Sequence, residues 1–170
     1  IMIDNWPGPN GFAYDISIYD SPINADCSNI GFESGTSGWT ATTGIVTKGK
    51  NSDPHLFYEP TSYLVNANQH KLVTAANGND PVIGAAIPQL CPWGGSQSLR
   101  LGDGSTAGAK GATIEQRFSV SSTNAMFNYY YAVVLEDPSG HTLQEKPMFK
   151  IDVLDCDGNP LTCGEYLVVS

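Results

Sequence analysis

The chain has 170 residues and a formal net charge of −9, from 8 Lys and Arg against 17 Asp and Glu. That charge, without any cluster of Lys or Arg, excludes nucleic acid and anionic membranes as partners, because phosphate groups are bound by basic faces. No apolar run approaches the roughly 20 residues of a membrane-spanning helix, which excludes membrane insertion. Only 15% of the residues are charged while 41% are hydrophobic. This composition is typical of secreted β proteins that fold around a hydrophobic core.

Residues 1–26 are rich in Pro, Gly, Asn and Asp and contain one strand pattern, Tyr14 to Tyr19. They are predicted to form a linker, or an arm that adds an edge strand to the domain. The opening Ile1-Met2-Ile3 is typical of a segment of a longer protein, so neighbouring modules of a parent chain are expected partners. The folded module is expected over residues 27–170.

No window sustains the apolar spacing of an amphipathic helix, whereas alternation with period two recurs between Gly and Pro residues. The clearest strand runs from Ala112 to Val120, where every second residue is apolar except Gln116. Residues 125–135 (AMFNYYYAVVL) are apolar or aromatic on both faces, which predicts a central strand covered on each side. Further strands are expected at Trp39–Val46, His70–Ala75, Ser98–Leu101, Met148–Leu154 and Glu165–Val169. The sequence therefore predicts an all-β fold, a jelly-roll-like antiparallel β-sandwich.

Four cysteines without a C-x-x-C spacing favour disulfides over zinc or thioredoxin-like chemistry. Cys156 and Cys163 bracket a turn of sequence DGNPLT. In an antiparallel ladder centred on that turn the two residues fall opposite each other, close enough for a bridge. We therefore expect Cys156 to pair with Cys163, and Cys27 with Cys91. The alternative is four buried thiols in a reducing compartment.

Several motifs from Cys27 onward resemble those of known secreted modules. Residues 27–35 (CSNIGFESG), followed by Gly38-Trp39-Thr40, resemble the opening of many secreted jelly-roll modules, including carbohydrate-binding modules. A second group of motifs resembles a module of large secreted surface proteins of Bacteroidota, the gliding-motility-associated and adhesin-like proteins that also carry polycystic-kidney-disease-type repeats. These motifs are residues 94–102 (GGSQSLRLG), residues 131–138 (YAVVLEDP) with His141, residues 147–151 (PMFKI), and residues 157–160 (DGNP) with Cys163-Gly164. The resemblance implies an exported, extracellular, non-catalytic module at the cell surface.

The resemblance to jelly-roll modules also implies a metal. Modules with a Gly-Phe-Glu opening often use that Glu, with backbone carbonyls and a late Asp, to hold a structural Ca²⁺, an ion that prefers six to eight oxygen ligands. Glu33 matches this pattern. The final strand (EYLVVS) contains no Asp, so Asp152 or Asp155 is expected to substitute for the late ligand. The alternative is that Glu33 pairs with a backbone amide or a lysine.

The acidic motifs do not favour catalysis. Residues 155–159 (DCDGN) begin like a calcium loop, but Pro160 follows and no Glu stands at the twelfth position, so the motif is interpreted as a turn. Glu136 and Asp137 point to opposite faces of an extended backbone and therefore do not form the facing carboxylate pair of a glycoside hydrolase. No nucleophile elbow, P-loop or His-Glu-x-x-His motif occurs. We expect a protein that is not an enzyme.

Loop aromatics are the remaining candidates for ligand binding. Residues 48–92 form the least regular stretch, and long loops of this kind tend to carry function. Tyr58 and Tyr63 lie in this stretch, and Trp93 follows in a tight Cys-Pro-Trp-Gly-Gly loop. Rigidly held rings stack on the apolar C–H faces of sugars. The alternative for Trp93 is that it covers a disulfide.

The sequence as a whole predicts a recognition or adhesion module of a secreted bacterial cell-surface protein, with a polysaccharide or cell-surface glycan as its partner. A purely structural spacer in an adhesin, with no ligand of its own, is the alternative. A hydrolase is the third possibility and has the least support, because no acid pair or triad can be assembled from the motifs.

Overall fold

The computed structural model describes residues 2–3, 13–20, 29–47, 57–102, 109–122, 129–137, 139–142 and 145–170, with the backbone alone at 2–3, 13–20, 47, 57 and 163. The described residues form twelve strands and one turn of 3-10 helix, Ala75–Asn77. The first six strands are β1 (Met2–Ile3), β2 (Ala13–Asp20), β3 (Thr40–Thr47), β4 (Phe57–Ser62), β5 (His70–Val73) and β6 (Asn79–Asp80). The other six are β7 (Gly84–Pro88), β8 (Ser98–Leu101), β9 (Lys110–Phe118), β10 (Ala132–Val133), β11 (Met148–Leu154) and β12 (Pro160–Val169).

The strands form two main sheets and a small hairpin. One sheet has six strands in the order β12-β11-β2-β9-β3-β4, and the other has four in the order β10-β1-β8-β5. Among the residues that the structure describes, strands β6 and β7 pair only with each other. No helix among the residues that the structure describes is long and apolar enough to cross a membrane.

The main hydrophobic core lies between the two large sheets. Leu99 and Leu101 of β8 enter it from the four-stranded sheet. Ile114 of β9 and Phe149 and Ile151 of β11 enter it from the six-stranded sheet. Burying a side chain of this size stabilises the fold by about 1.5–3 kcal/mol. The predicted all-β, sandwich-like fold is therefore confirmed.

Strand β9 shows the predicted alternation. Ala112, Ile114, Gln116 and Phe118 are buried, and the residues between them from 113 to 117 are half-buried or exposed. Inward residues therefore recur every second position, as the pleat of a strand requires. Val120, predicted to belong to this strand, lies beyond its end and is half exposed.

Two strands come from residues 1–26, which were expected to form a linker or an edge-strand arm. Strand β2 pairs in parallel with both β9 and β11, and β1 pairs in parallel with both β8 and β10. Ile16 of β2 is in register with Ile114 on one side and with Ile151 on the other. The structure thus places both strands inside the sheets and not at an edge. The remaining residues of 1–26 lie outside the described residues.

The predicted central strand over residues 125–135 is wrong in its described part. Only Ala132–Val133 is a strand, and it lies at an edge of the four-stranded sheet. Tyr129, Tyr130 and Tyr131 precede it and are exposed. Residues 125–128 lie outside the described residues. An apolar run is buried on both faces only where other elements of the fold pack against each face. The three exposed tyrosines lack such packing.

The stretch 48–92 is more regular than predicted. From residue 57 onward it contains β4, β5, the 3-10 turn and the β6–β7 hairpin. Each of these strands has only two to six residues. Short strands give weak periodicity, which is why the pattern is hard to see in the sequence. The residues before 57 in this stretch lie outside the described residues.

Candidate functional site

An exposed aromatic pair lies beside the edge of the four-stranded sheet. Trp93, in the loop between β7 and β8, is 73% exposed, and Tyr130, just before β10, is 52% exposed. The two rings stack with their centroids 5.3 Å apart and their planes 25° from parallel. Stacked aromatic rings gain about 0.5–1.5 kcal/mol beyond the burial of their area. The stack therefore holds the tryptophan in place while much of its surface remains open to solvent.

A cleft of about 220 Å³ adjoins this pair, and we call it the aromatic cleft. It is lined by residues 87–89 and 91–93, Ser98 and residues 130–132. The loop before β8 forms one wall, and the segment that leads into β10 forms the other. None of these lining residues carries a charge. The cleft is thus an aromatic and apolar surface with a small number of neutral polar groups.

Gln89 supplies the most constrained polar group of the cleft. This residue is only 7% exposed. Its Nε2 donates hydrogen bonds to the carbonyl oxygens of Asn77, at 2.8 Å, and Asn79, at 2.9 Å. Its Oε1 is buried and has no hydrogen-bond partner among the described residues. This oxygen is therefore closed to solvent, although other atoms of Gln89 line the cleft.

The loop that carries the tryptophan is fixed at both ends. Near its start, the Cys91 amide donates to Ser98 Oγ at 2.9 Å. Near its end, the Ser96 amide donates to Glu33 Oε1 at 2.8 Å. Gly95 has φ +83°, and a Cβ added there would lie 2.6 Å from Glu33 Oε1. A glycine is required at this position, since any other side chain would displace the carboxylate and strain the backbone.

Glu33, predicted as a calcium ligand, binds this loop. Hydrogen bonds from the Ser96 hydroxyl and amide lower the pKa of the Glu33 carboxyl below its ordinary value of 4.5, because they stabilise the charged form. The preceding Phe32 is buried in the main core and holds the backbone at Glu33 in place. The structure therefore shows the alternative in which Glu33 pairs with a backbone amide.

The other two predicted metal ligands do not join Glu33. Asp152 is buried, with Oδ2 lying 3.0 Å from Lys150 Nζ. Asp155 accepts hydrogen bonds in the β11–β12 turn, and those from the backbone and side chain of Asn159 hold its pKa below 3.8. Among the described residues there is no group of three or more His, Cys, Asp and Glu side chains that could hold a metal. Calcium binding stays a prediction that these contacts do not support.

Tyr58 and Tyr63, predicted as ligand-binding residues, do not line the aromatic cleft. The hydroxyl of the half-buried Tyr58, on β4, lies 2.8 Å from Thr42 Oγ1 on the neighbouring strand β3. Its ring packs against a second small core cluster that contains Val46 and Met148. Tyr63 follows β4 and is 70% exposed. Of the three predicted aromatic residues, Trp93 is the one that lines the cleft.

Cys91 and Cys156 are free thiols in the structure, and Cys27 and the side chain of Cys163 lie outside the described residues. The β11–β12 ladder pairs Leu154 with Pro160 after a register shift. Cys156 therefore lies in the turn, beyond the last ladder pair. The expectation that the ladder places Cys156 opposite Cys163 is wrong, because the sequence does not reveal the register shift. The two disulfide pairings themselves stay predictions.

Tyr131 connects the cleft to the core. Its ring centroid lies 5.4 Å from that of the fully buried Phe149 on β11 and 5.4 Å from that of Tyr166 on β12. A hydrogen bond with the Tyr166 side chain raises the pKa of Tyr131 to about 12. The phenol is therefore neutral at ordinary pH. These contacts tie the segment before β10 to the six-stranded sheet.

Sequence reasoning missed Tyr130 and Gln89. Tyr130 lies in the run that was interpreted as a buried central strand, and a row of tyrosines does not reveal by itself whether it is covered. Gln89 directly follows Pro88, the last residue of β7, and belongs to no recognisable motif. Its role depends on carbonyl groups of residues 77 and 79, which only the folded hairpin brings next to its amide.

Comparisons of the chain with models of known protein families, with curated proteins and with solved structures found no match. What this chain does must therefore be inferred from the geometry of the aromatic cleft and from the sequence resemblance.

Proposed function

We propose that this chain is a non-catalytic recognition module of a secreted bacterial cell-surface protein, and that it binds carbohydrate in the aromatic cleft. The observation that carries the proposal is the ring of Trp93, held against Tyr130 and 73% exposed beside an uncharged aromatic cleft. An aromatic surface with a few oriented polar groups is the usual make-up of a small-ligand site.

Sugars match both parts of this surface. Their rings present C–H groups that pack on aromatic faces, and their hydroxyl groups donate hydrogen bonds. A proline-rich peptide also binds aromatic grooves, but prolines have no N–H to donate. The resemblance of residues 27–40 to the opening of carbohydrate-binding modules favours a sugar over a proline-rich peptide.

The location at the cell surface is proposed on other grounds. It is supported by the resemblance of the motifs to those of Bacteroidota surface proteins and by a content of charged residues of only 15%. A net charge of −9 suits neutral partners better than polyanionic ones. In such a protein, a carbohydrate site would attach the cell to polysaccharide or to the glycans of another surface.

The test is a glycan array followed by isothermal titration of each hit. Trp93→Ala should abolish binding, because it removes the stacking surface. Tyr63→Ala is the matched control, since Tyr63 is equally exposed but lies outside the cleft lining, and it should bind like the wild type. Retained binding in Trp93→Ala would overturn the placement of the site. An array without any hit would overturn the proposal and leave the structural spacer as the better interpretation.

A further inference from the structure

Two tyrosines from different sheets meet at one side of the sandwich. Tyr131 lies just before β10, the edge strand of the four-stranded sheet, and Tyr166 lies on β12, the edge strand of the six-stranded sheet. The two residues are 35 positions apart in the chain. Their ring centroids lie 5.4 Å apart, with the ring planes inclined by 57°. The contact between these two rings therefore connects the edges of the two sheets.

The hydroxyl groups of the two tyrosines are close to each other. The side chains of Tyr131 and Tyr166 are hydrogen-bonded, and the hydroxyl is the only polar group of a tyrosine side chain. When two phenols are oxidised, they couple through the ortho carbons, which are the ring carbons next to the hydroxyl-bearing carbon. A hydrogen bond between the two hydroxyls therefore brings an ortho carbon of one ring near an ortho carbon of the other.

The pair is held by the core on one side and is open to solvent on the other. The ring centroid of the fully buried Phe149 lies 5.4 Å from that of Tyr131 and 6.3 Å from that of Tyr166, which is within the range of favourable aromatic contacts. Tyr131 is nevertheless 38% exposed and Tyr166 is 42% exposed. Both phenols are thus accessible to a dissolved oxidant while their packing keeps them together.

From this geometry, we propose that Tyr131 and Tyr166 form a site of oxidative coupling, at which peroxide joins the two rings as dityrosine and links the two sheets covalently. Each phenol loses one electron and its hydroxyl proton. The two radicals form a carbon–carbon bond between their ortho carbons, and the hydrogen on each of these carbons moves to the oxygen and restores the hydroxyl. Two electrons and two protons pass in total to hydrogen peroxide, which is reduced to two molecules of water.

The bond would stabilise the native fold. A cross-link between residues 35 positions apart restricts the unfolded chain, as a disulfide does when it closes a loop of similar length. On that scale the Tm rises by roughly 5–15 °C. The cross-link does not require a bound carbohydrate, so a negative result here leaves the proposed function in place.

The experiment treats the full chain, at a series of protein concentrations, with hydrogen peroxide and a haem peroxidase. Dityrosine fluorescence should appear in a monomer that has lost two hydrogen atoms. The yield per chain should be independent of protein concentration, because the reacting groups are already adjacent within one molecule. Tandem mass spectrometry of a digest should map the link to Tyr131 and Tyr166, and the Tm of the product should be higher than that of the untreated protein.

Tyr166→Phe should abolish this product, since phenylalanine has no hydroxyl and forms no phenoxyl radical, while its ring can still pack against Phe149. Tyr63→Phe is the matched control. It removes a phenol that is more exposed but makes no ring contact among the described residues, and it should couple like the wild type. The Tm and circular dichroism spectrum of each untreated variant establish that it is folded, and the mapping in the wild type does not depend on either variant.

Several results would overturn the coupling site. These are the absence of dityrosine in the monomer, a product that consists only of dimers, and a yield in Tyr166→Phe equal to that of the wild type. A link that maps to another pair, such as Tyr129 and Tyr131, whose ring centroids lie 5.9 Å apart, would also overturn it. A link between Tyr131 and Tyr166 that leaves the Tm unchanged would overturn its stabilising role.

Discussion

The carboxylate of Glu33 accepts two hydrogen bonds from Ser96 across 63 residues of chain, one from the backbone amide at 2.8 Å and one from the hydroxyl. The amide of Gln97 adds a longer contact of 3.3 Å. These bonds fasten the end of the loop that carries Trp93 to the segment before β3. The geometry of the aromatic cleft therefore depends on a residue that does not line it.

Replacing Glu33 with alanine should lower the Tm, because the amide and hydroxyl of Ser96 lose their acceptor. Glu33→Gln should have a smaller effect, since its side-chain oxygen still accepts from one of them. The decrease in Tm of each variant relative to the wild type should be the same with and without EDTA. Differential scanning fluorimetry measures all three proteins, with Glu59→Ala as the control for loss of an exposed carboxylate on β4.

If Glu33 were a calcium ligand, the melting experiment would give a different result. In that case EDTA would lower the Tm of the wild type and not that of Glu33→Ala, because a ligand that binds the native state raises its stability. The pH dependence provides a further check. The lowered pKa of Glu33 means that its contribution to stability is complete above 4.5 and is lost as the pH falls through the lower folded-state value.

His70 should make the stability of the fold pH-dependent. It is buried on β5, its Nε2 lies 2.9 Å from the carbonyl oxygen of Thr113 on β9, and its Nδ1 accepts the Asn66 amide at 3.2 Å. Burial lowers the pKa of His70 below 6.5. The unfolded chain then takes up a proton before the folded one does, so stability is complete above 6.5 and is lost as the pH falls through the folded-state pKa.

Urea unfolding at several pH values above and below 6.5 measures how steeply the free energy of unfolding changes with pH. His70→Phe should lower the free energy of unfolding by about 1–3 kcal/mol at neutral pH, because it leaves buried hydrogen-bonding groups without partners. The same substitution should also remove the change of the free energy of unfolding with pH. The control, His141→Gln, should retain that change. An identical slope in His70→Phe and in the wild type would assign the pH dependence to other groups.

Gly44 permits the close approach of strands β3 and β4. A Cβ at this position would lie 2.3 Å from the carbonyl oxygen of Glu59 and 2.6 Å from the ring of Tyr58. Gly44→Ala should therefore destabilise the protein by about 1–3 kcal/mol, as overpacking does elsewhere. Gly31→Ala is the control, since its nearest neighbouring atom lies 3.9 Å away. Equal midpoints of urea unfolding for the two variants would contradict the close packing of β3 against β4.

The proposed extracellular location makes a prediction about the cysteines. Protein purified from an oxidising compartment, denatured without reductant, should show no free thiol in an Ellman titration. The same protein after reduction is the control and should show the four cysteines of the sequence. Peptide mapping then establishes whether Cys156 is joined to Cys163. Four free thiols before reduction would contradict the extracellular proposal.

Local patterns predicted several elements well. Ser98–Leu101 and Met148–Leu154 match their strands to the residue, because apolar and polar residues alternate in each of them. Strand β9 matches in its alternation, and the turn at 155–159 forms as its Asp-Gly and Asn-Pro pairs predict. These are features that neighbouring residues determine among themselves.

Other elements depended on partners far away in the chain. The sequence did not predict that β2 lies between β9 and β11, since a strand pattern carries no information about which strands will flank it. It did not predict that the tyrosines before β10 are exposed. It also did not distinguish a calcium ligand from a loop cap at Glu33, because both roles use the same carboxylate.

Local patterns in the sequence were enough to predict the fold class, most of the strand positions and Trp93 as a candidate ligand-binding residue. Alternation and turn chemistry act over a few residues, so they can be read along the chain. The folded chain alone reveals that Tyr130 stacks on Trp93, that Glu33 holds the loop of Trp93 and that the Gln89 amide donates to the carbonyl oxygens of residues 77 and 79. Each of these contacts joins residues from separate elements, and only folding brings them within hydrogen-bonding or van der Waals distance.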